Sequence, residues 1–351
     1  MVGISDVARA AGVSKATASR ALSGAGYVST TTRARVLAAA DELGYVPSTS
    51  AVSLATGRTQ NIGVVMPYVN RWFFAEVLEG IQRALLDRGL DLTLYDARPG
   101  SPGRERIFDD FLARKRFDGL IAVGVEPRHD EIDRLLSIGR PVVTVVGPDS
   151  PSSLVEIDDD AAARRATDHL LTLGHTQIAF LGGTPGEHWA RVERRRLAGY
   201  EAAMTEAGVS DAIRHVRCVA SIPGGYEASV DLLTESSARV TGLVAVCDEV
   251  AIGAIVAARQ LGIAVPARLS IVGFDDHEYA EMFGLTTLRQ NPREQGFAAV
   301  ELLVKHLEDP TREPERIRMP ARMVVRGSTA APPSAPDPAG AVPERSLHAS
   351  E

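Results

Sequence analysis

Residues 4–45 read ISDVARAAGVSKATASRALSGAGYVSTTTRARVLAAADELGY. The pattern predicts three short helices, over about 5–11, 15–22 and 32–43, with a Gly-Val-Ser turn between the first two. Gly12 suits the left-handed residue that ends a helix, and Ser14 suits the N-cap of the following helix. Two short helices joined by a tight turn and followed by a third predict an all-α helix-turn-helix headpiece.

Apolar residues at helical spacing predict a small core for this headpiece, in which many alanines allow the helices to approach closely. The predicted core residues are Val7, Ala8, Ala11, Val13, Ala18, Leu22, Val36, Leu37, Ala40 and Leu43.

The second helix leaves one polar face outside that core. Lys15, Ala16, Ser19 and Arg20 share this face through their i, i+1, i+4, i+5 spacing. Lysine and arginine recognise guanine edges in the major groove, and alanine packs against a thymine methyl. Other side chains are expected to hydrogen-bond phosphates and set the register on double-stranded operator DNA; they are Ser14, Thr17, Tyr27, Ser29 and Thr32. The alternative interpretation is a small helical bundle with solvated basic residues.

The charge distribution favours the DNA interpretation. Within residues 1–58, six basic residues stand against three acidic ones, a formal charge of +3, whereas the 351-residue chain carries −7 and the remainder therefore −10. A basic end on an acidic body orients a protein on DNA without general polyanion binding. With only two cysteines, no apolar run of transmembrane length and no signal peptide, we expect a cytoplasmic protein without a membrane partner.

Strand-like and helix-like segments alternate from residue 62 to about 325, which predicts parallel sheets built from βαβ units. Candidate strands are 62–66, 92–95, 120–123, 142–146, 178–181, 216–219, 243–246 and 270–274. Candidate helices are 75–88, 161–173, 197–207 and 250–261. The end of the chain is rich in Pro, Ala and Ser without periodicity, so we expect residues 329–351 to be a disordered tail.

Several segments together resemble one known family. DVARAAGVSKATASRAL, YVSTTTRARVLAAADELGYVP, SLATGRTQNIGVV, RRRLAGY, GFDD and TTLRQ are similar to motifs of the lactose-repressor (LacI/GalR) family of bacterial transcription regulators. The resemblance covers roughly residues 3–327. It implies a headpiece over 1–46, a hinge over 47–60 and a periplasmic-binding-protein-like core over 61–328 that binds an effector and forms a homodimer. The core would contain two doubly wound parallel-sheet subdomains, the first over about 61–160 and 291–318, the second over about 161–290 and 319–327.

The hinge is too short and too rich in Ser and Thr to hold a helix alone in water. In the family, the matching segment folds when two subunits meet over the operator centre, and a leucine wedges into the minor groove. By resemblance, Leu54 is that wedge and Ala51 the small neighbour that permits close approach. Ser48 and Val52 depart from the family pattern, which weakens the case for minor-groove hydrogen bonds, and a plain flexible linker is the alternative.

In doubly wound sheets, ligands bind outside the carboxyl ends of the strands. The resemblance implies that Arg196, Asp248 and Asp275 contact an effector there and that Trp72 and Phe73 form a pocket wall. Aromatic faces with carboxylates and an arginine are typical of sugar sites. Taken singly, the aspartates are also explained as helix N-caps and the aromatic residues as ordinary core.

Two departures leave the identity of the ligand open. Cys247 stands where the family commonly has asparagine, and Ala220 where many members carry an aromatic ring. We therefore expect a repressor released by a sugar-type effector, with a corepressor-dependent regulator, its ligand a purine or another small molecule, as the alternative.

Enzymatic motifs are absent from the sequence. FLGGTPG (180–186) is neither a G-x-G-x-x-G nor a Walker loop, and no G-x-S-x-G or H-E-x-x-H occurs. His169 and His175 lack metal-ligand spacing, and the run Asp158, Asp159, Asp160 suits the start of a helix better than a metal site. We expect no catalytic residue, metal or cofactor. A Rossmann-like enzyme and a pure ligand-binding or transport protein are the competing classes.

Overall fold

The structure is a computed structural model that describes residues 2–24, 26–45, 57–114, 116–148, 151–183, 190–235 and 240–333. These residues divide into two compact units. Unit 1 extends to Ile157 and includes Asn291–Met319, and unit 2 comprises Asp158–Gln290 and the described residues from Pro320 onward. The chain thus passes between the units three times, after Ile157, Gln290 and Met319.

The secondary structure begins with helices and then alternates strands with helices. The helices are α1 (Ile4–Ala10), α2 (Lys15–Ser23), α3 (Thr30–Glu42), α4 (Trp72–Leu86), α5 (Pro102–Arg106), α6 (His129–Ser137), α7 (Asp159–Thr172), α8 (Arg191–Glu206), α9 (Ile222–Thr234), α10 (Asp248–Gln260) and α11 (Pro292–Glu308). The strands are β1 (Asn61–Met66), β2 (Asp91–Asp96), β3 (Gly119–Val123), β4 (Val142–Val145), β5 (Ser153–Ile157), β6 (Ile178–Leu181), β7 (Arg214–Val216), β8 (Gly242–Ala245), β9 (Ser270–Asp275), β10 (Thr286–Arg289), β11 (Arg316–Met319) and β12 (Arg322–Val324).

The headpiece helices follow the turn chemistry of their sequence. Gly12 has φ +62°, the left-handed conformation expected between α1 and α2. The Ser14 hydroxyl accepts the Thr17 N–H at 3.1 Å and caps α2. The Ser29 hydroxyl accepts the Thr32 N–H at 3.3 Å and caps α3 in the same way.

The core of the headpiece differs from the prediction in α2 and α3, where Ala21 and Ala39 are buried although neither was predicted. Leu37 is 49% exposed, and Ala39 is buried beside Ala40 instead. Val36, Ala39 and Ala40 lie at i, i+3 and i+4 of α3, whereas Leu37 falls outside this stripe. The prediction of Leu37 as a core residue is therefore wrong, because its position on α3 turns the side chain away from the buried stripe.

Each unit contains a six-stranded sheet among its described residues. The order in unit 1 is β11-β5-β4-β3-β1-β2, with parallel pairing throughout. The order in unit 2 is β12-β10-β9-β8-β6-β7, parallel except for the antiparallel pair β10 and β12. Helices connect most of the consecutive parallel strands, as βαβ units require. No described helix separates β4 from β5 or β9 from β10, although both pairs are parallel. The predicted fold class, a helix-turn-helix headpiece with doubly wound parallel sheets, is confirmed.

Some predicted boundaries need correction. The strand expected over 216–219 is β7, which covers Arg214–Val216 and pairs with β6 from Ala179 opposite Arg214 to Leu181 opposite Val216. The apolar residues beyond Val216 suggested a strand, but this edge has no partner residues left after Leu181. The helix expected over 197–207 begins earlier, at Arg191.

The structure has no helix, among the parts of the chain that it describes, with the length and apolar character that a membrane span requires. The predicted tail lies outside the described residues from 334 onward.

Candidate functional site

The predicted DNA-reading face lies on α2. Lys15, Ala16 and Arg20 are exposed, and Ser19 is half-buried. The aliphatic part of Arg20 runs beside Gly26, where an added Cβ would lie 3.3 Å from the Arg20 Cδ. Gly26 has φ +76°, a conformation that side-chain-bearing residues rarely adopt. The loop after α2 thus leaves room for the arginine to extend into solvent.

The side chains predicted to bind phosphates lie at helix ends or in the loop. The hydroxyls of Ser14 and Thr17 lie 2.9 Å apart at the start of α2, and the Ser29 hydroxyl donates to the Thr32 hydroxyl over 2.9 Å. Tyr27 is 92% exposed, which leaves its hydroxyl accessible to a partner. The hinge residues Ala51 and Leu54 lie outside the described residues.

A polar cluster occupies the carboxyl edge of the unit 2 sheet. Asp275 ends β9, Asp248 follows the loop after β8, and Gln290 follows β10. Helix α8 adds Arg196, and α7 adds Asp159. The two helices touch closely, since a Cβ on Gly199 would lie 2.3 Å from the Asp160 carbonyl oxygen.

Arg196 lies at the centre of this cluster with little solvent exposure. Its Nε donates to Asp159 Oδ1 over 2.9 Å, and its Nη1 donates to the Val246 carbonyl over 2.6 Å. Nη1 also lies 4.0 Å from Asp275 Oδ1, and the guanidinium carbon lies 4.5 Å from the centre of the Phe274 ring. No described residue accepts a hydrogen bond from Nη2, so this end of the guanidinium is available to a ligand.

Asp275 has a strained backbone conformation. Its φ is +116°, rare for a residue with a side chain. The Gln290 amide donates to Asp275 Oδ1 over 2.5 Å. Burial raises the pKa of Asp275 to about 7, against the opposing attraction of Arg196 and the Gln290 hydrogen bond.

Asp248 is fully buried and holds the neighbouring loop in place. Its Oδ1 accepts the Thr287 hydroxyl at 2.7 Å, and its Oδ2 accepts the His277 N–H at 2.8 Å. A Cβ at position 273 would lie 2.1 Å from Oδ1, so the glycine of the GFDD motif makes room for this carboxylate. Burial, followed by the neighbouring Asp275 charge, raises the pKa of Asp248 well above 3.8. Asp248 is the first residue of α10, and Cys247 is the N-cap of that helix.

The cluster contains more acid than base. Asp159 and Asp275 are buried beside the guanidinium of Arg196, and Asp248 is buried at the same edge of the sheet. Burial raises the pKa of Asp159 as well. Such a site favours ligands that donate hydrogen bonds, such as the hydroxyls of a sugar, and disfavours anions.

The aromatic residues lie at the carboxyl edge of the unit 1 sheet. Trp72 and Phe73 begin α4 and are half-buried. Phe73 and Phe74 pack edge to face, with ring centres 5.6 Å apart, and both contact the buried core. Phe74 also packs against Gly124, where a Cβ would lie 2.6 Å from its ring.

The described part of the chain contains no group of three or more His, Cys, Asp or Glu side chains arranged to hold a metal ion.

Comparisons with known proteins agree with this geometry. Residues 3–48 match the family model for bacterial regulatory proteins of the lacI family, and residues 167–329 match a periplasmic binding protein-like domain. The HTH-type transcriptional repressor PurR of Vibrio campbellii is 33% identical over 340 residues, which cover 93% of this chain and 98% of the relative. The chain belongs to the LacI family.

Solved structures of LacI-family proteins resemble it over most of their length. The Lac repressor dimer bound to operator and the anti-inducer ONPF matches with a TM-score of 0.82 and 27% identity, over 94% of this chain and 99% of that one. The transcriptional regulator CelR in complex with cellobiose matches with a TM-score of 0.67 and 28% identity, over 93% of this chain and 100% of that one. This LacI-family chain is a DNA-binding transcription regulator, as its sequence predicted.

Sequence reasoning passed over some residues of the LacI-family cluster. The sequence indicates Gln290 only as part of TTLRQ. The roles of Thr287 and His277 depend on contacts with Asp248 at the start of α10, which residue spacing does not reveal. The sequence predicts Asp159 only at the start of a helix, because its pairing with Arg196 joins residues 37 positions apart. Residues 184–189 lie outside the described residues.

Proposed function

We propose that this LacI-family regulator is a homodimeric repressor of the cytoplasm that leaves a near-palindromic operator when a sugar-type effector binds to the carboxyl edge of unit 2. The observation that carries the effector class is the Arg196 site, in which the buried guanidinium lies beside the buried carboxyl groups of Asp159 and Asp275. The regulator acts by binding alone, without an enzymatic step.

On the DNA side, Lys15, Ala16, Ser19 and Arg20 contact bases in the major groove. The exposure of this face supports the assignment. Phosphate contacts come from Ser14, Thr17, Tyr27 and Thr32, whose hydroxyls lie at helix N-termini or in the exposed loop. Ala51 and Leu54 of the hinge bend the operator centre.

On the effector side, Arg196 and Asp275 contact hydroxyl groups of the ligand. Arg196 donates from Nη2, and Asp275 accepts through its carboxylate. Asp248 acts as a positioning residue, because its oxygens are occupied by Thr287 and His277. Trp72 and Phe73 present apolar faces to the effector, and the cellobiose complex of a relative supports a carbohydrate ligand.

The coupling between the two ligands is a difference in affinity between two states. If the effector favours the DNA-free state, operator DNA must weaken effector binding by the same factor. This reciprocity is a necessary property of the proposed repressor.

The test is a thermal-shift screen of the full chain against mono- and oligosaccharides, with nucleobases included. A ligand that binds only the native state raises the melting temperature with concentration. Operator sequences selected from random duplexes then serve in a gel-shift assay with the hit. A sugar that lowers operator affinity supports the proposal. A ligand that raises operator affinity instead establishes the corepressor alternative, and the absence of any sugar hit counts against a carbohydrate effector.

A further inference from the structure

A cavity lies in unit 1, at the opposite end of the strands from Trp72 and Phe73. It has a volume of about 520 Å³. Its walls come from residues that precede strands, among them Asp118 before β3 and Ser153 at the start of β5, and from the end of α11. Pockets for small ligands commonly fall in this size range.

The lining of this cavity is strongly basic. Three guanidiniums, from Arg58, Arg140 and Arg312, and one carboxylate, that of Asp118, line it. A second carboxylate, that of Glu315, pairs with Arg312. Both Asp118 oxygens already accept backbone N–H groups, from Thr59 and Gln60, at 2.8 Å each. The carboxylate thus has little capacity left to neutralise the arginines, and the cavity attracts anions.

The three arginines differ in how they are engaged. Arg312 pairs with Glu315 at 2.6 Å, and Arg58 donates to the Leu307 carbonyl over 3.4 Å. The half-buried Arg140 forms no ion pair or hydrogen bond with the rest of the described chain. The guanidinium of Arg140 is therefore available to a ligand that supplies a counter-charge.

The floor of the cavity is a fixed polar pair. His306 Nε2 lies 2.7 Å from the Ser153 hydroxyl, and both side chains are buried. Ser153 Oγ also accepts the Glu315 N–H at 2.9 Å, which holds the segment after α11 in place. Prolines stiffen the walls, since four of the lining residues are Pro141, Pro151, Pro310 and Pro314. A preformed cavity of this kind loses little conformational entropy when a ligand binds.

We propose that this cavity binds the phosphate group of a small phosphorylated metabolite. Arginine recognises phosphate through paired hydrogen bonds, and the volume leaves room for an organic group beyond the phosphate. The acidic cluster of unit 2 disfavours such a ligand, so the two sites select opposite charges. Because Arg58 belongs to the predicted hinge over 47–60, the cavity gives the regulator a second input at the base of that hinge.

The experiment is isothermal titration of the full chain, in phosphate-free buffer, with glucose 6-phosphate, inorganic phosphate and glucose. We expect the ester to bind, inorganic phosphate to compete with it and glucose to leave this binding unaffected. Arg140→Gln should weaken the ester by about tenfold or more, and Arg312→Gln should weaken it in the same direction. Arg83→Gln, which removes an exposed arginine of unit 1 outside the cavity, should bind as the parent does.

Each contrary result overturns the proposal. The first is that neither glucose 6-phosphate nor inorganic phosphate binds. The second is that Arg140→Gln binds the ester as tightly as the parent does. The third is that glucose competes with the ester as well as inorganic phosphate does. Loss of DNA affinity in Arg140→Gln with phosphate binding intact would assign the arginine to the DNA backbone instead. Melting curves establish that the variants fold. Because Arg196→Ala is expected to retain ester binding, failure of the proposed sugar site does not affect this test.

Discussion

The Nε of Arg196 donates to Oδ1 of Asp159 over 2.9 Å, and both side chains are buried. This pair joins α8 to the start of α7 and leaves Nη2 of the arginine unused by the described residues. The same side chain therefore has a structural bond at one end and a free donor at the other.

Arg196→Ala should abolish the response to the effector while the headpiece still binds operator. The variant also leaves Asp159 buried without its partner, which costs about 3–5 kcal/mol of unfolding free energy. The double variant Arg196→Ala with Asp159→Asn should recover part of that stability but no effector binding. Denaturant titration and gel shifts with effector measure the two properties separately. Arg165→Ala, at an exposed position of α7, is the matched control, and normal induction of Arg196→Ala would disprove its role.

Asp275 makes stability depend on pH. Burial raises its pKa from 3.8 to about 7 in the folded chain, so between these values the folded state holds a proton that the unfolded state has lost. The contribution of Asp275 to stability is therefore greatest at low pH and falls as pH rises toward 7, by at most about 1.4 kcal/mol per pH unit for one proton.

Asp275→Asn should remove this dependence, because asparagine does not titrate and still offers an oxygen to the Gln290 amide. As the pH rises from 5 to 8, the free energy of unfolding of the variant should increase relative to that of the parent. Unfolding by urea at both pH values, with Asp211→Asn as a solvent-exposed control, measures the difference. A parent and variant that change in parallel would show that Asp275 is ionised across this range.

Arg20 should carry base preference at one position of each half-site. Its exposed side chain extends past Gly26 from the predicted reading face. Arg20→Ala should weaken operator binding by roughly 1–3 kcal/mol when the preferred base pair is present, and the base preference at that position should decrease. Selection of operators from random duplexes, followed by affinity measurements over several salt concentrations, separates base contacts from phosphate contacts. An equal loss of affinity for all operator sequences would show that Arg20 contacts phosphate and not a base.

The headpiece was the most predictable part of the fold because its signals are local. Gly12 and Ser14 specify the turn between α1 and α2 through their own backbone and side-chain chemistry, and the structure has both as expected. The alternation of strands and helices was predictable for the same reason. Leu37 shows the limit of such reasoning, since its place in the helical stripe matters more than its hydrophobicity.

The candidate site was predictable in its residue types and its edge of the sheet, but not in its contacts. Asp248 and Asp275 look alike in sequence, each an aspartate at a strand end. Only the packed structure separates them, because Thr287 and His277 occupy the first carboxylate, whereas the second is held by Gln290 and lies near Arg196. The basic cavity of unit 1 assembles residues from position 58 to position 314, a separation that no local pattern reveals.

Asp118 should couple the hinge to unit 1. Its two carboxylate oxygens accept the N–H groups of Thr59 and Gln60, the last two residues of the predicted hinge, at 2.8 Å each. Asp118→Ala leaves both N–H donors without their acceptor, which lowers the free energy of unfolding by about 1–3 kcal/mol. It also releases the chain where it enters β1. We expect weaker operator binding with unchanged effector affinity, because the effector cluster belongs to unit 2.

Asp118→Asn, which keeps one acceptor oxygen, should give an intermediate loss of operator affinity. Gel shifts and effector titrations on the same preparations measure both affinities, and equal operator binding by all three proteins would show that this anchor does not transmit to the headpiece.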